Sequence, residues 1–168
     1  MLVALLLAQG LHADGSLGVG TAYDSAGVRV QAGTQHLELF AGFGLLAVAE
    51  GSSVTADGPV GFSAGLRWYA GDRRSLFVSL NFTDSVYSIW ADYDLRGPTS
   101  PRFRGSLSTL TLVVGYRWNL GGFFVEAGAG AGGYRERVPQ SGTEGIGNAG
   151  KASYGPIPDG VIGVGFEL

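Results

Sequence analysis

The sequence contains no cysteine and only one lysine, Lys151. The lack of cysteine excludes disulfides and thiolate metal sites. The 11 Lys and Arg residues are outnumbered by 14 Asp and Glu residues, which gives a net charge of −3. A nucleic-acid-binding domain normally carries a basic stripe instead. The composition therefore predicts no nucleic-acid partner, and no residue pattern indicates a metal or a cofactor.

Long apolar runs are also missing, so the sequence predicts no transmembrane helix, which needs about 20 apolar residues. The first residues, MLVALLLAQGLHA, form a short apolar run that ends in small residues. Such a run is typical of the h-region of a secretory signal, although no Lys or Arg precedes it. We predict a signal peptide over residues 1–13, cleaved after Ala8 or Ala13, and one domain over residues 14–168. The alternative for the apolar run is a buried first strand.

Glycine is abundant, with 30 of 168 residues, and apolar residues alternate with small or polar ones from Ser16 onward. This period of two predicts β-strands. Eight strands are predicted, namely SLGVGTAY (16–23), VRVQA (28–32), LELFAGFGL (37–45), VGFSAGLRWYA (60–70), SLFVSLNFT (75–83), STLTLVVGYRWN (108–119), GGFFVEAGAGAGGY (121–134) and GVIGVGFEL (160–168).

One face of each predicted strand carries large apolar residues, and the other carries glycine, small polar groups and isolated charges. A soluble barrel or sandwich shows the reverse arrangement, with bulky residues inside and charged residues outside. The pattern therefore predicts a closed barrel whose apolar face meets lipid and whose narrow interior is small and polar. A soluble barrel that binds an apolar ligand is the alternative at the level of the fold.

The predicted connections alternate in length. Short ones follow strands two, four and six, around Gln35, at 71–74 and at 119–122, and the first outer connection, 24–27, is short as well. Long ones follow strands three, five and seven, at 50–59, 90–105 and 135–159. Short turns at one end and long loops at the other are typical of outer-membrane barrels. The sequence thus predicts an all-β, eight-stranded antiparallel up-and-down transmembrane β-barrel.

The motif G-x-R-W occurs twice, at 65–68 and 115–118. Each copy precedes a short turn, which places its tryptophan at the periplasmic end of a strand. Aromatic residues concentrate at both membrane interfaces of such barrels. We therefore predict an aromatic girdle formed by Trp68, Tyr116, Trp118 and Phe166.

Gly128, Gly130 and Gly133 spell G-x-G-x-x-G after an apolar run. A dinucleotide-binding loop would require a helix to begin within these glycines. The following residues include Pro139 and show no helical apolar series. We interpret the glycines as strand positions that face the lumen.

These features together resemble the small eight-stranded outer-membrane barrels of Gram-negative bacteria, typified by the transmembrane domain of outer membrane protein A and by OmpX and OmpW. The resemblance rests on the signal-like start, the hairpin pattern and a final strand with alternating apolar residues, although the chain ends in Leu168 rather than in an aromatic residue. It implies location in the outer membrane, insertion by the barrel-insertion machinery, a monomer, and a structural or surface-interaction role. An OmpW-like, porin-like pore for ions or apolar molecules is the alternative.

Several charged residues fall on the predicted inward face. They are Arg29, Glu38, Arg67, Arg117, Glu126 and Glu167. An unpaired buried charge costs several kcal/mol, so these groups should pair. We predict an Arg–Glu network that plugs the lumen. Resemblance to outer membrane protein A also allows a gate that passes small ions.

Asp84 and Ser85 fall at the predicted outer end of strand five. They resemble the Asp-Ser pair of the outer-membrane enzyme that palmitoylates lipid A, which also uses a histidine. The only histidines here, His12 and His36, are not predicted near the outer rim, so a catalytic base is missing. We predict no catalytic residues and no enzymatic activity.

The predicted outer loops carry most of the cationic charge, interleaved with aromatic residues. The cations are Arg96, Arg102, Arg104, Arg135, Arg137 and Lys151. Arginine suits contact with the phosphates of lipopolysaccharide, while ordinary solvated loops are the alternative.

Overall fold

The computed structural model describes residues 11–45, 60–71, 73–90, 102–138 and 151–168. In these residues eight antiparallel strands pair in sequence order, and the last pairs with the first to close a barrel. The predicted all-β, eight-stranded up-and-down barrel is thus confirmed. No helix in the described part of the chain is long and apolar enough to cross a membrane.

The strands are β1 His12–Gly20, β2 Ser25–Gly33, β3 Leu37–Leu45, β4 Val60–Ala70, β5 Leu76–Trp90, β6 Arg102–Asn119, β7 Phe123–Val138 and β8 Lys151–Glu167. Three short connections, 34–36, 71–75 and 120–122, lie at one end of the barrel, which we call the turn end. The connections 46–59, 91–101 and 139–150 leave the opposite end, the loop end, and lie outside the described residues. Short and long connections therefore alternate as predicted.

Several strand boundaries were predicted wrongly. β1 begins at His12 rather than Ser16, within the segment predicted to be a signal peptide. The predicted loop 90–105 is a strand from Arg102, and the predicted loop 135–159 is strand as far as Val138 and again from Lys151. Backbone pairing continues there, with Val138 opposite Lys151. The apolar alternation stops earlier, because residues beyond the apolar band can be polar on both faces.

We predicted that β1 would continue to Tyr23 and lead directly into a hairpin, but the chain leaves the barrel wall earlier. Thr21–Tyr23 form a 3-10 turn that folds into the barrel, so that Tyr23 is fully buried instead of facing outward. The reversal begins at Gly20, whose φ is 111°. A Cβ on Gly20 would lie 1.9 Å from the carbonyl oxygen of Gly160, so only glycine fits here. We call residues 21–24 the infolded turn.

The loop-end part of β8 has a free edge among the described residues. β1 pairs with β8 only as far as Ile162, because the chain turns inward after Gly20. Leu168 N donates to the Ala13 carbonyl on the β1 side, so even-numbered residues of β8 direct their backbone groups to that side. Pro156 and Pro158 therefore stand on the free edge, where a missing N–H discourages pairing with another strand.

Polarity is inverted relative to a soluble protein. Leu39 on the outside is 66% exposed, whereas Arg67 on the inside is fully buried. Large exposed apolar side chains occur on all eight strands and include Leu17, Val30, Leu39, Phe62, Leu80, Leu112, Phe123 and Val164. The predicted division into an apolar outer face and a charged inner face is present.

Candidate functional site

Glu126 on β7 is the centre of a buried cluster inside the barrel. Its Oε2 accepts a 2.5 Å bond from Arg67 Nη1, and its Oε1 accepts a 3.3 Å bond from Arg67 Nη2. Arg29 Nη2 lies 2.8 Å from the same Oε1, which makes an ion pair without an aligned hydrogen bond. The hydroxyl of Tyr23 donates to Oε1 at 3.0 Å. One fully buried carboxylate thus holds two guanidinium groups and the infolded turn.

A second cluster surrounds Asp14, nearer the turn end. Asp14 Oδ2 accepts hydrogen bonds of 2.7 Å from Arg74 and 2.7 Å from Arg117. It also accepts a hydrogen bond of 2.9 Å from the amide Nε2 of Gln31. Arg74 enters the barrel from the turn 71–75 and keeps 13% of its side chain exposed. It therefore closes the turn end of the network.

Glu38 belongs to the same second cluster. Its Oε1 accepts a bond from Arg74 Nη2 and lies 2.5 Å from His12 Nε2. Glu167 marks the rim, because its side chain is 46% exposed while its Oε1 lies 3.3 Å from Arg117 Nη2 and 3.6 Å from Arg74 Nη1.

Tyr69 joins the two clusters. Its hydroxyl oxygen accepts bonds from Arg67 Nη1 at 3.4 Å and from Arg117 Nη1 at 3.3 Å. Counted over the described residues, the joined network contains four carboxylates and four guanidinium groups, those of Asp14, Glu38, Glu126, Glu167, Arg29, Arg67, Arg74 and Arg117. Their formal charges cancel, which is what burial in a narrow interior requires.

Aromatic rings fill the space between these charges, and the prediction of a small, polar interior was incomplete. The guanidinium carbons of Arg67 and Arg117 lie 3.9 Å and 3.6 Å from the ring centres of Phe77 and Phe124. Arg29 stacks in the same way on Tyr23, at 4.6 Å. Such cation–π contacts are strongest when desolvated, so the rings both fill the interior and stabilise the buried cations.

All six residues predicted for the lumen network lie in it. The structure adds members that the sequence analysis missed, namely His12, Asp14, Tyr23, Gln31, Tyr69 and Arg74. Asp14 adjoined the predicted signal peptide, and Arg74 belonged to a predicted turn. Tyr69 carried a usable signal, because it shares the inward face of its strand with Arg67. Gln31 carried the same signal, because it shares the inward face of its strand with Arg29.

His12, Asp14 and Glu38 offer metal-binding atoms that all lie within 4.8 Å of one another. Arg74 contacts both carboxylates and Arg117 contacts Asp14. The negative charge that would attract a divalent cation is therefore already balanced by two guanidinium groups. We interpret these residues as part of the ion-pair network.

A smaller polar cluster lies above the network, toward the loop end. The carboxylate of Asp159 accepts bonds from Thr21 Oγ1, from Thr111 Oγ1 at 2.5 Å and from Asn81 Nδ2 at 3.4 Å. These bonds anchor the start of the infolded turn to β5, β6 and β8.

Asp84 and Ser85 lie within β5 and not at its end, which corrects the predicted strand boundary. They also face opposite ways. Ser85 is buried and donates to Asp24 of the infolded turn, whereas Asp84 is exposed and accepts a 2.7 Å bond from Ser108. His12 and His36 both lie at the turn end. Asp84 and Ser85 thus each have a structural partner within the described residues.

The four predicted girdle residues face outward at the turn end. Trp68, Tyr116, Trp118 and Phe166 are 50%, 43%, 47% and 47% exposed. The rings of Tyr116 and Trp118 are 5.0 Å apart at 55°.

The cationic residues predicted for the outer loops lie mostly in strands. Arg102 and Arg104 are in β6, Arg135 and Arg137 are in β7 and Lys151 begins β8, while Arg96 lies outside the described residues. Arg135 and Arg137 are exposed on the outer face. The guanidinium of Arg135 is 5.8 Å from the ring centre of Tyr154.

The G-x-G-x-x-G glycines lie in β7, which runs unbroken as a strand from Phe123 to Val138. A dinucleotide loop would need a helix here. Gly128 and Gly130 face the lumen, as expected, but Gly133 faces outward.

No family model, no curated protein and no solved structure matches this chain. The barrel and its interior are therefore the basis for assigning a function.

Proposed function

We propose that this protein is an integral outer-membrane β-barrel with a closed interior and a structural or surface-interaction role carried by its loop end. The observation that carries the proposal is the inverted polarity. Leu112 is 53% exposed on the outside of β6, while Arg117 of the same strand is fully buried inside. In water this exterior would form an apolar patch far larger than soluble monomers expose.

Strand length supports a membrane span. A tilted strand needs about 9–11 residues to cross a bilayer. The shorter half of the barrel, β1 to β4, has strands of 9, 9, 9 and 11 residues. Strands β5 to β8 have 15 to 18 residues and would extend beyond the bilayer at the loop end. A closed barrel also leaves few backbone groups unpaired, as lipid demands.

The filled interior supports a role other than transport. Fully buried Arg29, Arg67 and Arg117, stacked on aromatic rings, occupy the cross-section of an eight-stranded barrel, which is only just wide enough for side chains. Recording from single molecules in a planar bilayer tests this point. We expect no steady conductance, and reproducible open-channel currents would favour the pore instead.

Outward-facing cations above the apolar band support contact with lipopolysaccharide phosphates. Arg135 and Arg137 are two residues apart on the outer face of β7, and an arginine fork pairs well with phosphate. Adding lipopolysaccharide to the folded protein should therefore raise its denaturation midpoint. The double variant Arg135→Gln, Arg137→Gln should lose that rise, and His36→Gln at the other end should keep it. An equal rise in all three proteins would contradict the contact.

A further inference from the structure

The turn end has a surface depression beside the aromatic pair Tyr116 and Trp118. It has a volume of about 410 Å³ and is lined by Arg73 and Ser75 of the turn 71–75 and by residues 116–120, which include the network residue Arg117. The two rings and Leu120 provide an apolar floor that is open to the outside, since Leu120 is 63% exposed.

The turn 71–75, which forms one wall of the depression, is fixed against β6. Arg117 N donates to the Ser75 carbonyl at 2.7 Å, and Asn119 Nδ2 donates to the Arg73 carbonyl at 2.7 Å. Ser75 Oγ donates to the same Arg73 carbonyl at 3.3 Å. The backbone of Arg73 is thus held in place, and its side chain starts from a defined point on the rim.

Two adjacent arginines in this turn have opposite environments. Arg74 points into the barrel and pairs with Asp14 and Glu38. Arg73 is exposed, and no carboxylate of the described residues makes an ion pair with it. The depression therefore combines an apolar, aromatic floor with a cation that the network does not neutralise.

This combination fits an anionic headgroup attached to an acyl chain. A guanidinium binds phosphate oxygens through paired N–H donors. Indole N–H and phenol O–H groups sit at headgroup level in membrane interfaces. A free phosphate could use Arg73, but it would gain nothing from the apolar floor.

We propose that the depression binds the phosphate headgroup of an anionic glycerophospholipid in the bilayer leaflet at the turn end, with Arg73 as the phosphate ligand. This inference rests on the proposed membrane location. Trp68, the other girdle tryptophan, faces outward on β4 and does not line the depression, so the site belongs to one side of the barrel.

Quenching of Trp118 fluorescence tests the site. The chain has three tryptophans, so the changes Trp68→Phe and Trp90→Phe leave Trp118 as the only reporter. The full chain is folded into phosphatidylcholine–phosphatidylglycerol vesicles, with bromine on the acyl chains of one lipid or the other. We expect brominated phosphatidylglycerol to quench roughly fivefold more effectively, the effect of one cation near an anionic lipid. Arg73→Gln should remove this preference, and Arg135→Gln at the loop end should keep it.

The other outcomes are distinct. Strong but equal quenching by both lipids, or a preference that survives Arg73→Gln, would overturn the lipid site and leave the membrane barrel intact. Loss of the preference on adding inorganic phosphate would show a small-anion site instead. No quenching by either lipid would show that Trp118 is not in a bilayer, and both proposals would fail.

Discussion

At the scale of single residues, Glu126 is a fully buried carboxylate that balances two buried guanidinium groups. It is the only carboxylate within ion-pairing distance of Arg29 and Arg67 among the described residues. Glu126→Gln would leave two buried guanidinium groups without a counter-charge. Removing one partner of a buried pair costs about 3–5 kcal/mol, so we expect the free energy of unfolding in detergent micelles, measured by denaturant titration, to fall by that amount.

Glu167→Gln is the matched control for this prediction. Glu167 pairs with Arg117 and Arg74, but its side chain is 46% exposed. Exposed ion pairs contribute about 0–1 kcal/mol, so the same titration should show a small change. Equal losses in the two variants would mean that burial does not set the strength of this network.

Tyr23 links the infolded turn to Glu126 through one hydroxyl. Tyr23→Phe keeps the ring on Arg29 and removes only the donor. A lost buried hydrogen bond to a charged group costs about 1.5–3 kcal/mol, and we expect a loss of that size in unfolding free energy. Tyr154→Phe, at a tyrosine that is 66% exposed, should change little. The role of the infolded turn would be refuted if Tyr23→Phe were as neutral as Tyr154→Phe.

At the scale of the element, β7 shows why glycine is needed on one face only. A Cβ on Gly130, which faces the lumen, would lie 2.0 Å from the Leu112 carbonyl oxygen. A Cβ on outward Gly133 would meet only the Gly155 carbonyl oxygen, at 3.7 Å. Gly130→Ala should therefore lower the yield of folded protein and its thermal midpoint, and Gly133→Ala should leave both near wild type. If Gly133→Ala lowered the yield and the thermal midpoint more than Gly130→Ala, then Gly133 rather than Gly130 would face the lumen.

The strands also show which of their boundaries the alternation of apolar residues predicts well. The turn-end boundaries of the hairpins came close to the observed ones, because apolar alternation there runs almost to the turn. The infolded turn was missed, since Thr21 and Tyr23 continue the alternation that Leu17 and Val19 begin. The strand ends where Gly20 takes a φ of 111°, and the close approach of the Gly160 carbonyl that requires glycine there is a three-dimensional contact that alternation does not show.

At the scale of the whole molecule, the closed barrel and its inverted polarity followed from the period of two and from charges sharing a face with glycine. Only some members of the ion-pair network could be predicted from the sequence pattern. Inward strand charges such as Arg67 and Glu126 could be placed from the pattern. Arg74 could not, because no pattern shows that a turn residue reaches back into the lumen to meet Asp14.

The central claim is that the apolar outer face meets lipid. The most direct test compares the gel mobility of unboiled and boiled protein taken from membrane fractions. Closed barrels resist SDS until heated, because their strands are paired around the ring. We predict a heat-dependent mobility shift for protein in the outer-membrane fraction. A protein in the soluble fraction, with the same mobility before and after boiling, would contradict the account.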